Sequence, residues 1–388
     1  MEGVPAGLRL TVGDIDVDLA RRQQGYGRGG RMAIERDRAR FLAGVRLGRT
    51  LGTPIAIMVE NRDHQNWLEA MSPEPSGAHS DDGEVREAGR RRVSVPRPGH
   101  ADLAGVMKYG HSDVRNVLER ASARETVGRV AAGAVCKRLL SEVGVAVQGR
   151  VISLGNAHAP VHHTADPTQI DWDAVEESRM ACDNPEATEA MCNAVDHARD
   201  SGESLGGTFE VWCWGLCPGL GDYASYAERL DGRLAGALCS IPAVKGVEFG
   251  DAFANTVKPG SQVHDPIYVD VKDGQKQLER RTNRAAGLEG GMSNGMPIVL
   301  RAAMKPIPTL TTPLPSVDLD GLLQVQAHVE RSDVAAVTAA RVVGEAMVAL
   351  VIAQAYREKF GGDSLEQMLT AVTTYEHDLE ERGLWRRP

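Results

Sequence analysis

Glycine constrains this chain more than any other residue: 42 of its 388 positions are Gly, many gathered in short runs beside arginines, as in Arg21–Arg31 and Asn283–Gly295. Such runs mark backbone that turns tightly or lies close against a ligand, which favours an enzyme. An apolar fraction of 42% with 25% charged residues is that of a globular protein rather than a disordered or fibrous one. The length permits two or three domains. No long polar linker and no fixed short repeat divides it, so we expect one packed α/β unit over residues 1–388.

The formal charge of −9 argues against a general nucleic-acid binder, which needs a basic stripe. Arginines nonetheless cluster at Arg21, Arg22, Arg28 and Arg31, at Arg90, Arg91, Arg92 and Arg97, and at Arg280, Arg281 and Arg284. Any anionic partner is therefore small and locally bound. The alternative for each cluster is solvated arginine. Six cysteines without a CxxC pair fit a reduced cytoplasm, with Cys213 and Cys217 read as core. No apolar stretch reads as a membrane span, and the N-terminus lacks a signal pattern.

Spacing predicts a helix near Asp14–Gln24 ending in the turn Gly25–Gly30, a strand at Pro54–Glu60 and an exposed loop over about 71–89. A long helix is expected over Arg124–Val143 with Gly144 as its cap, and strands over Val145–Leu154 and Thr208–Leu216. Ala165–Arg199 reads as helical and polar, and Ser332–Tyr356 as a buried helix.

Four segments join backbone rigidity to cationic or titratable groups. In Arg21–Arg31 the glycines expose N–H groups beside the forked donors of Arg22, Arg28 and Arg31. It is neither a Rossmann fingerprint nor a P-loop, since it follows a helix and lacks GK[ST]. His100, after Pro98-Gly99 and two residues before Asp102, is a candidate general acid or a structural hydrogen-bonder. Nearby, Arg120 and Ser122 precede a helix whose N-terminus suits an anion. Asn283–Gly295 and Lys305–Thr309 read as a flat loop against a planar or phosphorylated ligand, or as a surface hairpin. Ser332 or Asp333, after Arg331, are either site residues or an N-cap. His158, His162 and His163 lie in a Pro- and Ala-rich loop with no neighbouring Cys or carboxylate pattern, and no metal is expected. Ser204 in GESLG resembles a nucleophile elbow without triad partners.

As an ordered set these segments resemble the chorismate synthase family: GYGRGGRM at Gly25–Met32, RPGHAD at Arg97–Asp102, LERASARET at Leu118–Thr126, AVKGVEFGD at Ala243–Asp251, NRAAGLEGGMSNG at Asn283–Gly295, KPIPTL at Lys305–Leu310 and RSDV at Arg331–Val334. The resemblance implies a single-domain β-α-β sandwich with helices packed between sheets, usually a homotetramer. It implies a lyase that converts 5-enolpyruvylshikimate 3-phosphate to chorismate and phosphate by 1,4-anti elimination with reduced FMN. Carried over by motif, Arg120, Ala121, Ser122, Pro242, Ala243, Gly290, Lys305, Pro306, Ile307, Pro308, Thr309 and Arg331 would bind FMN. Arg22 and Arg28 would bind the substrate's anionic groups, or NADPH where the enzyme reduces its own flavin. His100 and Asp333 would be catalytic.

Family members usually begin with a strand leading into a GESHG-like motif that supplies a second catalytic His, and no such motif precedes Gly3 here. GESLG at Gly202–Gly206 occupies a later family position and cannot replace it. We expect truncation of that segment. The alternative is a diverged, catalytically impaired FMN- or phosphate-binding paralogue.

Overall fold

The computed structural model describes residues 1–29, 36–68, 71–73, 92–118, 120–161, 166–272, 274–329 and 332–387. Most of the loop expected over 71–89 lies outside them, as do Arg31, Arg90, Arg91, His162, His163 and Arg331.

Helix α1 (Val12–Gln23) opens on Thr11, whose backbone N–H and hydroxyl both donate to Asp14, a capping box. Strands β1 (Ala39–Ala43) and β2 (Ala56–Val59) pair antiparallel into a small sheet. Helix α2 (Asp102–Tyr109) ends at Gly110, and helix α3 (Thr126–Glu142) is followed by Gly144, also in the left-handed region at φ 72°, as a C-terminal cap requires. Strand β3 (Ala146–Leu154) turns into β4 (Ala157–His158), and helix α4 (Pro185–Ser201) leads to β5 (Gly207–Trp214). Then follow α5 (Leu230–Cys239), β6 (Val244–Phe249), a hairpin of β7 (Ile267–Lys272) and β8 (Gln275–Arg280), and β9 (Ile298–Met304). Helices α6 (Val337–Phe360) and α7 (Leu365–Glu381) close the chain.

The main sheet runs β4-β3-β5-β9-β6 with every neighbouring pair antiparallel. Helix α6 lies on one face, packed against β3, β5, α3, α5 and α1. The small β1–β2 sheet packs on the far side of α1 and α3. The helices therefore stand between two sheets, the expected β-α-β layering.

Two expectations change. The stretch 165–199 is broken: a short helix, Trp172–Glu177, ends at Ser178, and α4 starts only at Pro185 behind its N-cap Asn184, because proline is favoured in a helix's first turn. Helix α6 begins at Val337 rather than Ser332 and runs on to Phe360. With a mean hydropathy of 1.5 in its most apolar window, α6 is also long and apolar enough to cross a membrane. Its window is 78% buried inside the fold, which explains the composition: a helix covered on all sides is apolar on all sides.

Small residues let α6 approach α3. A Cβ built on Gly133 would stand 2.3 Å from Ala346 Cβ and 2.4 Å from Ala346 Cα. Gly133→Ala should therefore destabilise the fold by about 1–3 kcal/mol through overpacking, although alanine is the better helix former. A urea midpoint equal to or above wild type would contradict that packing.

Candidate active site

Two charged networks lie side by side, and their charge balance separates them. In the first, the Arg21 guanidinium donates to Asp18 at 2.7 Å, to both Glu176 oxygens at 2.8 and 2.6 Å, and to both Glu345 oxygens at 2.7 and 2.8 Å. Lys137 reaches Asp18 at 2.9 Å and Glu345 at 2.5 Å, and Arg341 reaches Glu176 at 2.8 Å. Three cations meet three carboxylates, so the charges of these six groups balance among themselves. Arg21 therefore leaves the predicted anion cluster and becomes structural.

The second network is built mainly from arginine. Arg22, which is 5% exposed, donates to Asp37 at 2.9 Å and to Thr126 at 3.3 Å, and Arg124 donates to the other Asp37 oxygen at 2.6 Å. Arg28 lies 2.9 Å from Asp333 Oδ2, while Asp333 Oδ1 accepts the Gly29 N–H at 2.6 Å. Burial lowers the pKa of Arg28 from its ordinary value, and the charge of Arg22 adds to this against the opposing pull of Asp333. Arg22 Nε is buried without a hydrogen-bond partner among the described residues. A single N–H left open beside a second arginine is suited to one oxygen of a phosphate or carboxylate.

A third group stands on the turn before α2. Asp102 is buried, accepts from the Arg97 backbone and side chain at 3.0 Å, and makes a short contact with His100 Nδ1. Burial raises the carboxyl, but the His100 and Arg97 hydrogen bonds outweigh it and hold it down to about 2. An ionised Asp102 orients the imidazole through Nδ1, leaving Nε2 3.3 Å from Arg97 Nη2. Arg97 also donates to Thr309 Oγ1 at 3.3 Å, and Lys305 Nζ to the Gly99 carbonyl at 2.5 Å.

Topology joins these groups. Register pairs Leu154 with Gly207, Gly207 with Met304, and Met304 with Val244, so one end of the sheet gathers Ala243, Lys305 and the Ser204–Gly206 loop. Lys305 N–H donates to the Ala243 carbonyl at 2.9 Å. Ala243 holds φ 69°, a conformation a non-glycine residue keeps only where its surroundings enforce it. Leu205 N–H reaches the Val334 carbonyl at 2.9 Å, next to Asp333, and Ser204 reaches the Ile307 carbonyl at 2.6 Å. His100, Asp333, Arg22, Arg28, Ala243 and Lys305–Thr309 thus form one connected region. Arg124 and Glu125 border it with a cleft of about 460 Å³ lined also by Ile57, Val59, Val127 and Ala131.

Other predicted residues stand apart or at the edge. Arg120 is 77% exposed and 3.9 Å from Glu125. Ser122 accepts from Arg124 N–H as cap of a short 3-10 turn before α3, Ala121 lies in the turn just before it, and Pro242 in the turn that leads into β6. Gly290 occupies the turn of a two-residue hairpin, Leu288–Glu289 with Met292–Ser293. That hairpin precedes Ile298, whereas Lys305 follows Met304, and β9 between them spans about 20 Å. The structure does not bring Gly290 to Lys305 within this chain. Arg281 is exposed and pairs with Glu279, the solvated alternative. Asp333 is not an N-cap, since α6 starts behind Ala336.

Sequence reasoning missed Asp37 and Thr126 as partners of Arg22, and Arg124 as the second arginine on Asp37. Asp37 lies between Arg36 and Arg38, and only its burial distinguishes it from a solvated charge. Glu345 was missed as well, although it interrupts an apolar run four residues after Arg341.

The sequence model of the chorismate synthase family matches residues 1–356. The chain is 53% identical over 369 residues to the chorismate synthase of Desulforudis audaxviator, covering 95% of this chain and 91% of that protein. It is 52% identical over 384 residues to that of Moorella thermoacetica, covering 98% and 95%. A crystal structure of chorismate synthase superposes with a TM-score of 0.76 at 38% identity, over 98% of this chain and 93% of the other. With its layering and its ordered site motifs matched over this length, the chain belongs to the chorismate synthase family.

Proposed function

We propose that the chain converts 5-enolpyruvylshikimate 3-phosphate to chorismate and phosphate by 1,4-anti elimination in the presence of reduced FMN. The observation that supports this best is the charge of the connected region. Arg22, Arg28, Arg97, Arg124 and Lys305 gather there around Asp37, Asp102 and Asp333 among the described residues. Such a gathering of guanidinium and ammonium donors suits ligands carrying phosphate and carboxylate groups. The unpartnered Arg22 Nε and the hydroxyl of Thr309 add donors of the right kind.

Lys305, Pro306, Ile307, Pro308 and Thr309, with Ala243, Pro242, Arg120, Ala121, Ser122 and Arg331, would hold FMN in this reading. When bound, the reduced flavin supplies a transient electron as the C–O bond to phosphate cleaves, and recovers it, so the reaction has no net redox change. The protein contributes position and charge. Arg22 and Arg28 bind the substrate's anionic groups and stabilise the departing phosphate. His100, oriented by Asp102, holds or moves a proton at Nε2. Asp333 assists removal of the C6 proton. Both Asp333 oxygens are engaged by Arg28 and Gly29, so Arg28 exchanges its carboxylate partner for the ligand's anion as the site fills.

NADPH would use the same two arginines. In a homotetramer the β7–β8 hairpin is a candidate contact surface, since Ile267, Val269 and Val271 are each more than half exposed. The free cysteines fit the reducing cytoplasm. Arg28→Ala should weaken binding of 5-enolpyruvylshikimate 3-phosphate, measured calorimetrically, by about 10- to 100-fold, the loss of one charge-assisted contact. Undiminished affinity would remove Arg28 from the pocket.

A further inference from the structure

We infer that Ser204 is a positioning residue: the Gly202–Gly206 loop is a clamp that fixes the Lys305–Thr309 segment against the Asp333 turn. This rests on the flavin reading of Lys305–Thr309 and assigns a role to a loop that the proposed chemistry does not otherwise use. Ser204 is 7% exposed, and its hydroxyl donates to the Ile307 carbonyl at 2.6 Å. On the next residue, Leu205 N–H donates to the Val334 carbonyl at 2.9 Å. Two adjacent residues therefore grip two segments that lie far apart in sequence, one proposed to hold the cofactor and one carrying Asp333.

The loop fits along its whole length. A Cβ on Gly206 would lie 2.5 Å from the Met304 carbonyl and 2.9 Å from Pro306 N, and one on Gly202 would lie 2.4 Å from Thr312 Oγ1. Such contact leaves the clamped segment little room to shift sideways. Pro306 and Pro308 carry no N–H, so this stretch forms few backbone hydrogen bonds of its own. Among the described bonds, the Lys305 amide to Ala243 and the Ile307 carbonyl to Ser204 hold its backbone in place, while the Lys305 and Thr309 side chains tie its ends to Gly99 and Arg97.

The test compares Ser204→Ala with Ser204→Thr, which keeps the hydroxyl. Without any ligand, hydrogen exchange in Ser204→Ala should quicken in peptides covering 304–312 and 332–336, while the midpoint of global unfolding stays close to wild type. Reduced FMN, titrated anaerobically by fluorescence, should bind Ser204→Ala about five- to tenfold more weakly, the effect of one lost hydrogen bond, and Ser204→Thr should recover most of that loss. Unchanged exchange in both peptides overturns the clamp. Faster exchange spread evenly over the whole chain also overturns it, since that marks general destabilisation. A wild-type chain that binds no reduced FMN overturns the flavin reading instead, and the exchange measurement still decides the clamp.

Discussion

Replacing Glu345 with alanine will lower the stability of the fold by about 3–5 kcal/mol, the cost of breaking a buried ion pair from one side. Glu345 is fully buried and takes hydrogen bonds from Arg21, Lys137, Arg341 and the Gly149 amide. Its removal leaves three cations to two carboxylates. Burial pushes the Glu345 carboxyl up, but Arg21 and Lys137 hold it well below the usual range. Glu176 is likewise held down to about 2, against burial, by its bonds to Arg21 and Arg341. Both groups have folded pKa values below their unfolded ones. Their contribution is therefore complete above about pH 4.5 and is lost as pH falls towards 2. Urea unfolding at pH 7 and pH 4 checks both parts: Glu345→Ala should lose the stated energy at neutrality and show a shallower decline in acid. A loss below about 1 kcal/mol would mean that the network is not closed as described.

The second large effect falls on chemistry. His100→Ala should cut turnover by about 10²–10⁴-fold while changing FMN affinity little, as expected when a positioned acid–base group is removed. The ring is half-buried and oriented by Asp102 through Nδ1. Asp102→Asn should give a smaller loss of the same kind, because it keeps the shape but not the charge that orients the ring. Steady-state rates with saturating reduced FMN check this. Turnover within about twofold of wild type would return His100 to the role of a structural hydrogen-bonder.

Long-range order in the sequence carried more of this account than local pattern did. Helix α3 and strand β3 were legible because apolar spacing and Gly144 agree on their boundaries. The break at Ser178–Asn184 was not, since Pro185 starts a helix there rather than interrupting one. The start of α6 was misplaced because Asp333, a good N-cap by type, is committed to Gly29 and Arg28, a choice made by tertiary contact. The same holds for the arginines. Arg21 and Arg22 are neighbours in sequence, yet their side chains enter different networks, one on Glu176 and Glu345 and one on Asp37. No composition or spacing rule separates them. The distinction rests on Glu345 and Asp37, which approach from distant segments.

Anaerobic incubation of the chain with 5-enolpyruvylshikimate 3-phosphate and dithionite-reduced FMN, following chorismate and released phosphate together, tests the proposed activity most directly. Both products should form in equal amounts, and neither when FMN is left oxidised. A folded chain that binds reduced FMN and substrate but yields neither product would contradict it.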